Sequence, residues 1–178
     1  MNKILILIIF SLLGYNNISA CSCKKEKTVK GAFEYHESIV HGKVLNKTLV
    51  TVGSTMKKEK LDSLKEVYKE DNNKLKSLSY KSILKVEVEV IREFKGKSES
   101  NIVTIFTHKY GSACGYTRFE VGKEYLIYGS SKSYLYFQFQ RKGKYINYEL
   151  ENTFWTSHCY RTKKYLKSEA QELNKLMD

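Results

Sequence analysis

The sequence predicts an all-β domain with flanking helices: a small antiparallel barrel, closed or nearly closed, plus a C-terminal helix. Three observations carry this expectation. Short runs rich in valine, isoleucine and tyrosine recur between turn signals along the chain. The clearest, residues 83–94, sets Val86, Val88 and Val90 against Glu87, Glu89 and Ile91, the period of a half-buried strand. A chain of 178 residues has room for one domain with a proper core, whereas two would each be small and marginal.

In chain order, Lys3 and the apolar run at 4–13, turning polar and small by Ala20, predict a signal peptide over 1–20. A membrane span would need about 20 apolar residues. Cleavage after Ala20 makes Cys21 the mature N-terminus, and residues 21–178 form one domain, exported to an extracellular or periplasmic setting. Ile18-Ser19-Ala20-Cys21 also fits a lipobox loosely, the alternative being a lipoprotein anchored through Cys21. Residues 29–35 predict a short helix burying Val29, Ala32 and Phe33. Residues 38–52 predict a long strand, bent or bulged near Gly42, carrying Ile39, Val40, Val44, Leu45, Leu49, Val50 and Val52. From 56 to 78 the composition shifts to lysine and glutamate around Leu61, Leu64, Val67 or Tyr68, Leu75 and Leu78. That spacing predicts an amphipathic helical insertion, peripheral to the barrel. Strands follow at 83–94, 102–106, 124–128, 134–139 and 145–150, and 163–177 predicts a helix with Tyr165 or Leu166, Ala170, Leu173 and Met177 on one face.

The net charge of +12 favours acidic partners or anionic surfaces. The lysines are spread along the chain, without a nucleic-acid-binding motif, so a specific nucleic-acid partner is not expected. An enzyme is not expected either. None of His36, His41, His108 and His158 sits in HExxH, and no GxSxG is present. Phe154, Trp155 and the tyrosines read as core and barrel wall. The cysteines, Cys21, Cys23, Cys114 and Cys159, are even in number, and in an exported chain they read as two disulfides. The same reading takes Cys114 away from a thiol–base pair with His108. A structural zinc site would need paired knuckles that this spacing lacks.

Cys21-Ser22-Cys23 at the mature start, Cys114-Gly115-Tyr116, the run from Val121 through Gly122-Lys123-Glu124-Tyr125-Leu126-Ile127-Tyr128 to Gly129, and the run from Trp155 through His158-Cys159-Tyr160-Arg161 to Thr162 together resemble the netrin-like module. Within it the chain is most similar to the inhibitory N-terminal domain of the tissue inhibitors of metalloproteinases, from Cys21 to about Thr162. The resemblance implies an OB-fold, a five-stranded Greek-key barrel, and the pairings Cys21–Cys114 and Cys23–Cys159. It implies a metalloendopeptidase inhibitor needing no cofactor and binding no metal when free. Its Cys21 amine and carbonyl would close on the target's catalytic zinc, with Ser22 in the specificity pocket and Cys23 completing the wedge. Ser112, Ala113 and Cys114 would extend the contact edge. The chain departs from the family at Ala32-Phe33-Glu34, where a further cysteine is usual, and at Lys24, which is charged. The alternative is a netrin-like adhesion or polyanion-binding surface module using the lysine-rich insertion.

Overall fold

The computed structural model describes residues 26–98, 100–131 and 153–177. The expected signal peptide, the Cys21-Ser22-Cys23 head and the strands expected at 134–139 and 145–150 lie outside these residues.

Helix α1 (Val29–Tyr35) starts at Thr28, whose hydroxyl accepts a hydrogen bond from the Gly31 amide. Strands β1 (Ser38–Thr51) and β2 (Ser82–Lys95) pair antiparallel over their whole lengths, from Ile39 opposite Lys95 to Thr51 opposite Ser82. The register shifts at three points, one of them between His41 and Gly42, as the sequence suggests. A Cβ on Gly42 would lie 2.3 Å from a Val88 methyl, so glycine lets the two strands close at the bend. Strand β3 (Ile102–His108) pairs with β2, and β4 (Glu124–Gly129) pairs with β1. Strands β5 (Thr153–Trp155) and β6 (Lys163–Lys164) are short edge pieces. The sheet order is β5-β3-β2-β1-β4-β6.

Two features correct the expected antiparallel barrel. Strand β5 runs parallel to β3, with Thr104 opposite Thr153 and Phe106 opposite Trp155. Among the described residues the sheet is also not closed by a ladder. Among them, β5 and the end of β4 meet through one antiparallel bridge, in which Ser130 and Trp155 exchange backbone hydrogen bonds of 2.9 and 2.8 Å. Three residues of strand are too few to show a periodicity, so β5 left no signal beyond its aromatics. Helix α4 (Lys167–Asn174) begins later than expected, because Lys163 and Lys164 first pair with β4. Ala170 and Leu173 are buried as anticipated, while Leu166 and Met177 are exposed.

The sheet buries both faces, and strand alternation divides them. Val40, Val44, Val86, Val88, Val103, Ile105, Tyr125 and Ile127 fill the inner core with Tyr116 and Phe119. On the outer face, Ile39, Phe94, Leu126 and Tyr128 lie under α1 and α4. Leu45 and Leu49, read as strand residues, are exposed in the half of β1 that pairs with β2 but not with β4, and Phe33, expected to be buried, is only partly so.

The third core corrects the peripheral reading of the insertion. It forms α2 (Lys58–Val67) and α3 (Asn72–Tyr80), whose lysines and glutamates mostly face solvent. Leu64, Tyr68 and Leu78 nevertheless bury against Ile83, Phe106 and Trp155. Leu64 and Tyr68, four residues apart, and Leu78 of α3 cover the outer face of β2 and β3 with help from Met56, Leu61 and Leu75, so the charged residues need no burial. Leu64 is only 2 % exposed, and Leu64→Ala is expected to cost about 2–4 kcal/mol in urea melts. An unchanged melt would return the insertion to the periphery.

Candidate functional site

The site centres on a rim where the loop after β3 meets the segment after β5. The chain leaves β3 at His108 and makes a 3₁₀ turn, Gly111–Ala113, closed by hydrogen bonds from the Ala113 and Gly115 amides to the Tyr110 carbonyl. It then doubles back, and the Tyr116 amide donates to the buried Thr107 hydroxyl at 2.8 Å. A Cβ on Gly115 would sit 2.0 Å from the His108 carbonyl oxygen, so only glycine allows this crossing of the chain over itself. The turn also forces Cys114 to a φ of 62°, the one left-handed non-glycine among the described residues. Such a conformation costs on the order of 1 kcal/mol and persists where surrounding structure holds it.

What holds it is visible on both sides. The Cys114 carbonyl accepts from the His158 amide at 2.8 Å, and the Thr156 amide donates to the Phe106 carbonyl at 2.9 Å. The Cys159 amide donates to the Ser157 hydroxyl at 3.0 Å. Cys114 and Cys159 are both disulfide-bonded, and no cysteine is free among the described residues. Cys114 is therefore no thiol nucleophile for His108, whose imidazole burial keeps from protonating at its ordinary pH. Ser112 and Ala113 stand exposed beside half-buried Cys114. The structure thus brings three of the six expected site residues, Ser112, Ala113 and Cys114, to one edge with Cys159. Cys21, Ser22 and Cys23, with their expected pairings, lie outside the described residues.

Beneath this rim is a polar clasp that the sequence reading missed. The Thr156 and Thr162 hydroxyls, 2.7 Å apart, both reach the Tyr128 carbonyl, and the Thr162 hydroxyl accepts from the Tyr128 amide. The Tyr128 phenol donates to Glu169 at 2.7 Å. Glu169, 3 % exposed, takes two hydrogen bonds of 3.0 Å from the Arg161 guanidinium and an ion pair with Lys163. Arg161 also donates to the Lys27 carbonyl at 3.2 Å, tying the first described residues to α4 and β4. Burial alone would raise the Glu169 carboxyl. The bonds from Lys163, Arg161 and Tyr128 outweigh it and hold the group below its usual range. Removing one partner of such a buried pair typically costs about 3–5 kcal/mol. The one available signal was Glu169 itself, four residues before Leu173 and so on the buried stripe of the predicted helix.

His36 closes the clasp on its other side, packed edge-on against Tyr35, Tyr128 and Tyr160. Its Nδ1 is buried without a hydrogen-bond partner among the described residues. Burial, aided by the Lys95 ammonium and opposed by Glu37, brings its pKa from 6.5 down to about 4.

The chain matches no protein-family model and no curated protein sequence. No described helix is long and apolar enough to cross a membrane.

The His36 shift sets a pH dependence. Between pH 6.5 and about 4 the unfolded chain binds a proton at His36 that the folded chain refuses, so stability is full above this window and falls on acidification through it. The loss is on the order of 3 kcal/mol. Glu169, lowered from 4.5, adds its own loss only below that pH. Urea melts at a series of pH values should show the first loss in the native chain and not in His36→Phe. Identical pH profiles would contradict it.

Proposed function

We propose that this chain is a secreted inhibitor of zinc metalloendopeptidases, similar to the inhibitory domain of the tissue inhibitors, with the Cys21 amine and carbonyl as its reactive head. The observation that carries the reading is the rim: disulfide-bonded Cys114, in a glycine-dependent turn beside exposed Ser112 and Ala113, is hydrogen-bonded to the segment that holds disulfide-bonded Cys159. In this reading the two bonds run to Cys21 and Cys23 and fix the N-terminal tripeptide on the rim. The fold is then read as an OB-type barrel left partly open. The order β5-β3-β2-β1-β4, returning from Ser130 to Trp155, supports a five-stranded circuit of that kind.

A metalloprotease zinc has three protein ligands and an open position held by water. The amine nitrogen and carbonyl oxygen of one residue close a five-membered chelate there and displace the attacking water. With a pKa of about 7.7–8.0 the amine loses its proton easily near neutral pH. Ser22 enters the specificity pocket, Ser112 and Ala113 extend the contact edge, and the two bonds reduce the ordering entropy lost on binding. The chain acts by occupying a site, not by turning anything over. Lipidation of Cys21 would abolish this chemistry, since an acylated amine is no ligand.

Adding one residue before Cys21 tests the reading against a panel of zinc metalloproteases. The extended protein should inhibit about 100-fold less than the native one, or not at all, with its melt unchanged. Equal inhibition by both would remove the amine from the mechanism. If neither inhibits any protease, binding of polyanions through the exposed lysines of α2 and α3 becomes the better reading.

A further inference from the structure

Strand β1 is paired on both sides only over its first half. On the β4 side the ladder runs from Ser38 to Lys43. It is finished by the Val44 amide, which donates to the Lys123 carbonyl at 3.0 Å, and by the Gly122 amide, which donates to the Val44 carbonyl at 2.8 Å. There the chain before β4 turns away, through Gly122 at a φ of 80°. β1 stays extended to Thr51, paired with β2 alone, and the Thr51 carbonyl is taken by the Ser54 hydroxyl at 2.7 Å. Between these points, residues 45–50 present a strand edge on which no backbone hydrogen bond is made among the described residues.

Proteins usually blunt such an edge with an outward lysine, a proline or a cover. The chain has no proline, and the Lys47 ammonium is turned back onto the Phe119 carbonyl at 3.1 Å. The bulge after Val44 sits at the start of the edge and leaves residues 46–50 in register with β2. Apolar side chains line the edge: Leu45 and Val121, on the two sides of the Val44–Gly122 bond, are exposed, and Leu49 is 62 % exposed. Leu49 lies opposite Leu84, on the face of the inner core, while Asn46 and Thr48 take the other face, opposite Glu87 and Lys85. Lys123, exposed and without an ion pair among the described residues, stands where β4 gives way. The carboxylates of its own segment, Glu120 and Glu124, are held by Lys164 and His41.

We propose that residues 45–50 are a β-augmentation site, which takes an extended segment of a partner polypeptide as a further strand beside β1. A row of unpaired amides and carbonyls at strand spacing is complementary to an extended chain, whose backbone supplies the affinity and whose side chains supply the selectivity. About six residues is the length of an ordinary strand. The segment that fits sets apolar side chains beside Leu49 and small polar ones beside Asn46 and Thr48, with a carboxylate at the end that reaches Lys123. A second copy of this chain is disfavoured there, since each copy carries a net charge of +12 and brings the same lysines to the pair.

Amide-resolved NMR titration of the full oxidised chain tests this with a blocked heptapeptide that alternates valine and threonine between terminal aspartates. The peptide should shift the amides of residues 45–50 saturably and slow their hydrogen exchange. The same peptide N-methylated throughout, which keeps the side chains and removes the donors, should bind at least about tenfold more weakly, and one with terminal lysines severalfold more weakly. Leu49→Asp, at an exposed position, should leave the melt unchanged and weaken the peptide about tenfold, and Lys123→Glu should weaken it severalfold. Equal binding of the N-methylated peptide, shifts confined to α2 and α3, or no saturable shift would each overturn the proposal. So would dilution-dependent shifts of the same amides in the free chain, which would assign the edge to a second copy.

Discussion

The crossing of Gly115 over the His108 carbonyl is the constraint on which the rim depends. With no Cβ at that position, the loop after β3 turns back within a few residues, and Cys114 is left in the left-handed region with its carbonyl aimed at the His158 amide. The loop after β3 and the segment after β5 are therefore coupled through backbone, which cannot reorient as a side chain can. A disulfide anchored on such a backbone has little freedom to drift. Cys-Gly is in this sense one structural unit: the glycine permits the turn, and the turn aims the cysteine.

The sheet supplies the other half of the support. Because alternate residues of β1, β2 and β4 point inward and outward, one set of strands serves an inner core and two outer ones. The helices α1 and α4 cover one outer patch and the insertion covers another. Tyr128 joins the layers: its ring packs under the terminal helices, its phenol binds Glu169, and its backbone meets Thr156 and Thr162 below the rim. The Arg161–Glu169 pair and the neutral His36 make this junction well defined in geometry and sensitive to acid.

Much of this frame is legible in the sequence, and particular residues show why the remainder is not. The valine–glutamate alternation of β2, the bend near Gly42 and the apolar positions of α1 follow from local periodicity. Strand β5 and its parallel pairing depend on a long-range contact that three residues cannot announce. The insertion's lysines suggest a solvated appendage, yet Leu64, Tyr68 and Leu78 only needed an outer sheet face to cover, and no local pattern reveals that face. Glu169 is similar: an acid on an apolar stripe becomes intelligible once Arg161, Lys163 and Tyr128 are seen around it. Ser112, Ala113 and Cys114 entered through the resemblance, and their turn explains why those residue types suit an exposed edge.

In the proposed function the rim cysteines hold the tripeptide Cys21-Ser22-Cys23. Peptide mapping of the protein under non-reducing conditions tests it most directly, because the connectivity reports what the rim is bonded to whether or not a target protease is known. The account predicts Cys21 joined to Cys114 and Cys23 joined to Cys159, with an unmodified amine on Cys21. A Cys114–Cys159 bond, or Cys21 joined to Cys23, would leave the tripeptide unanchored and contradict it.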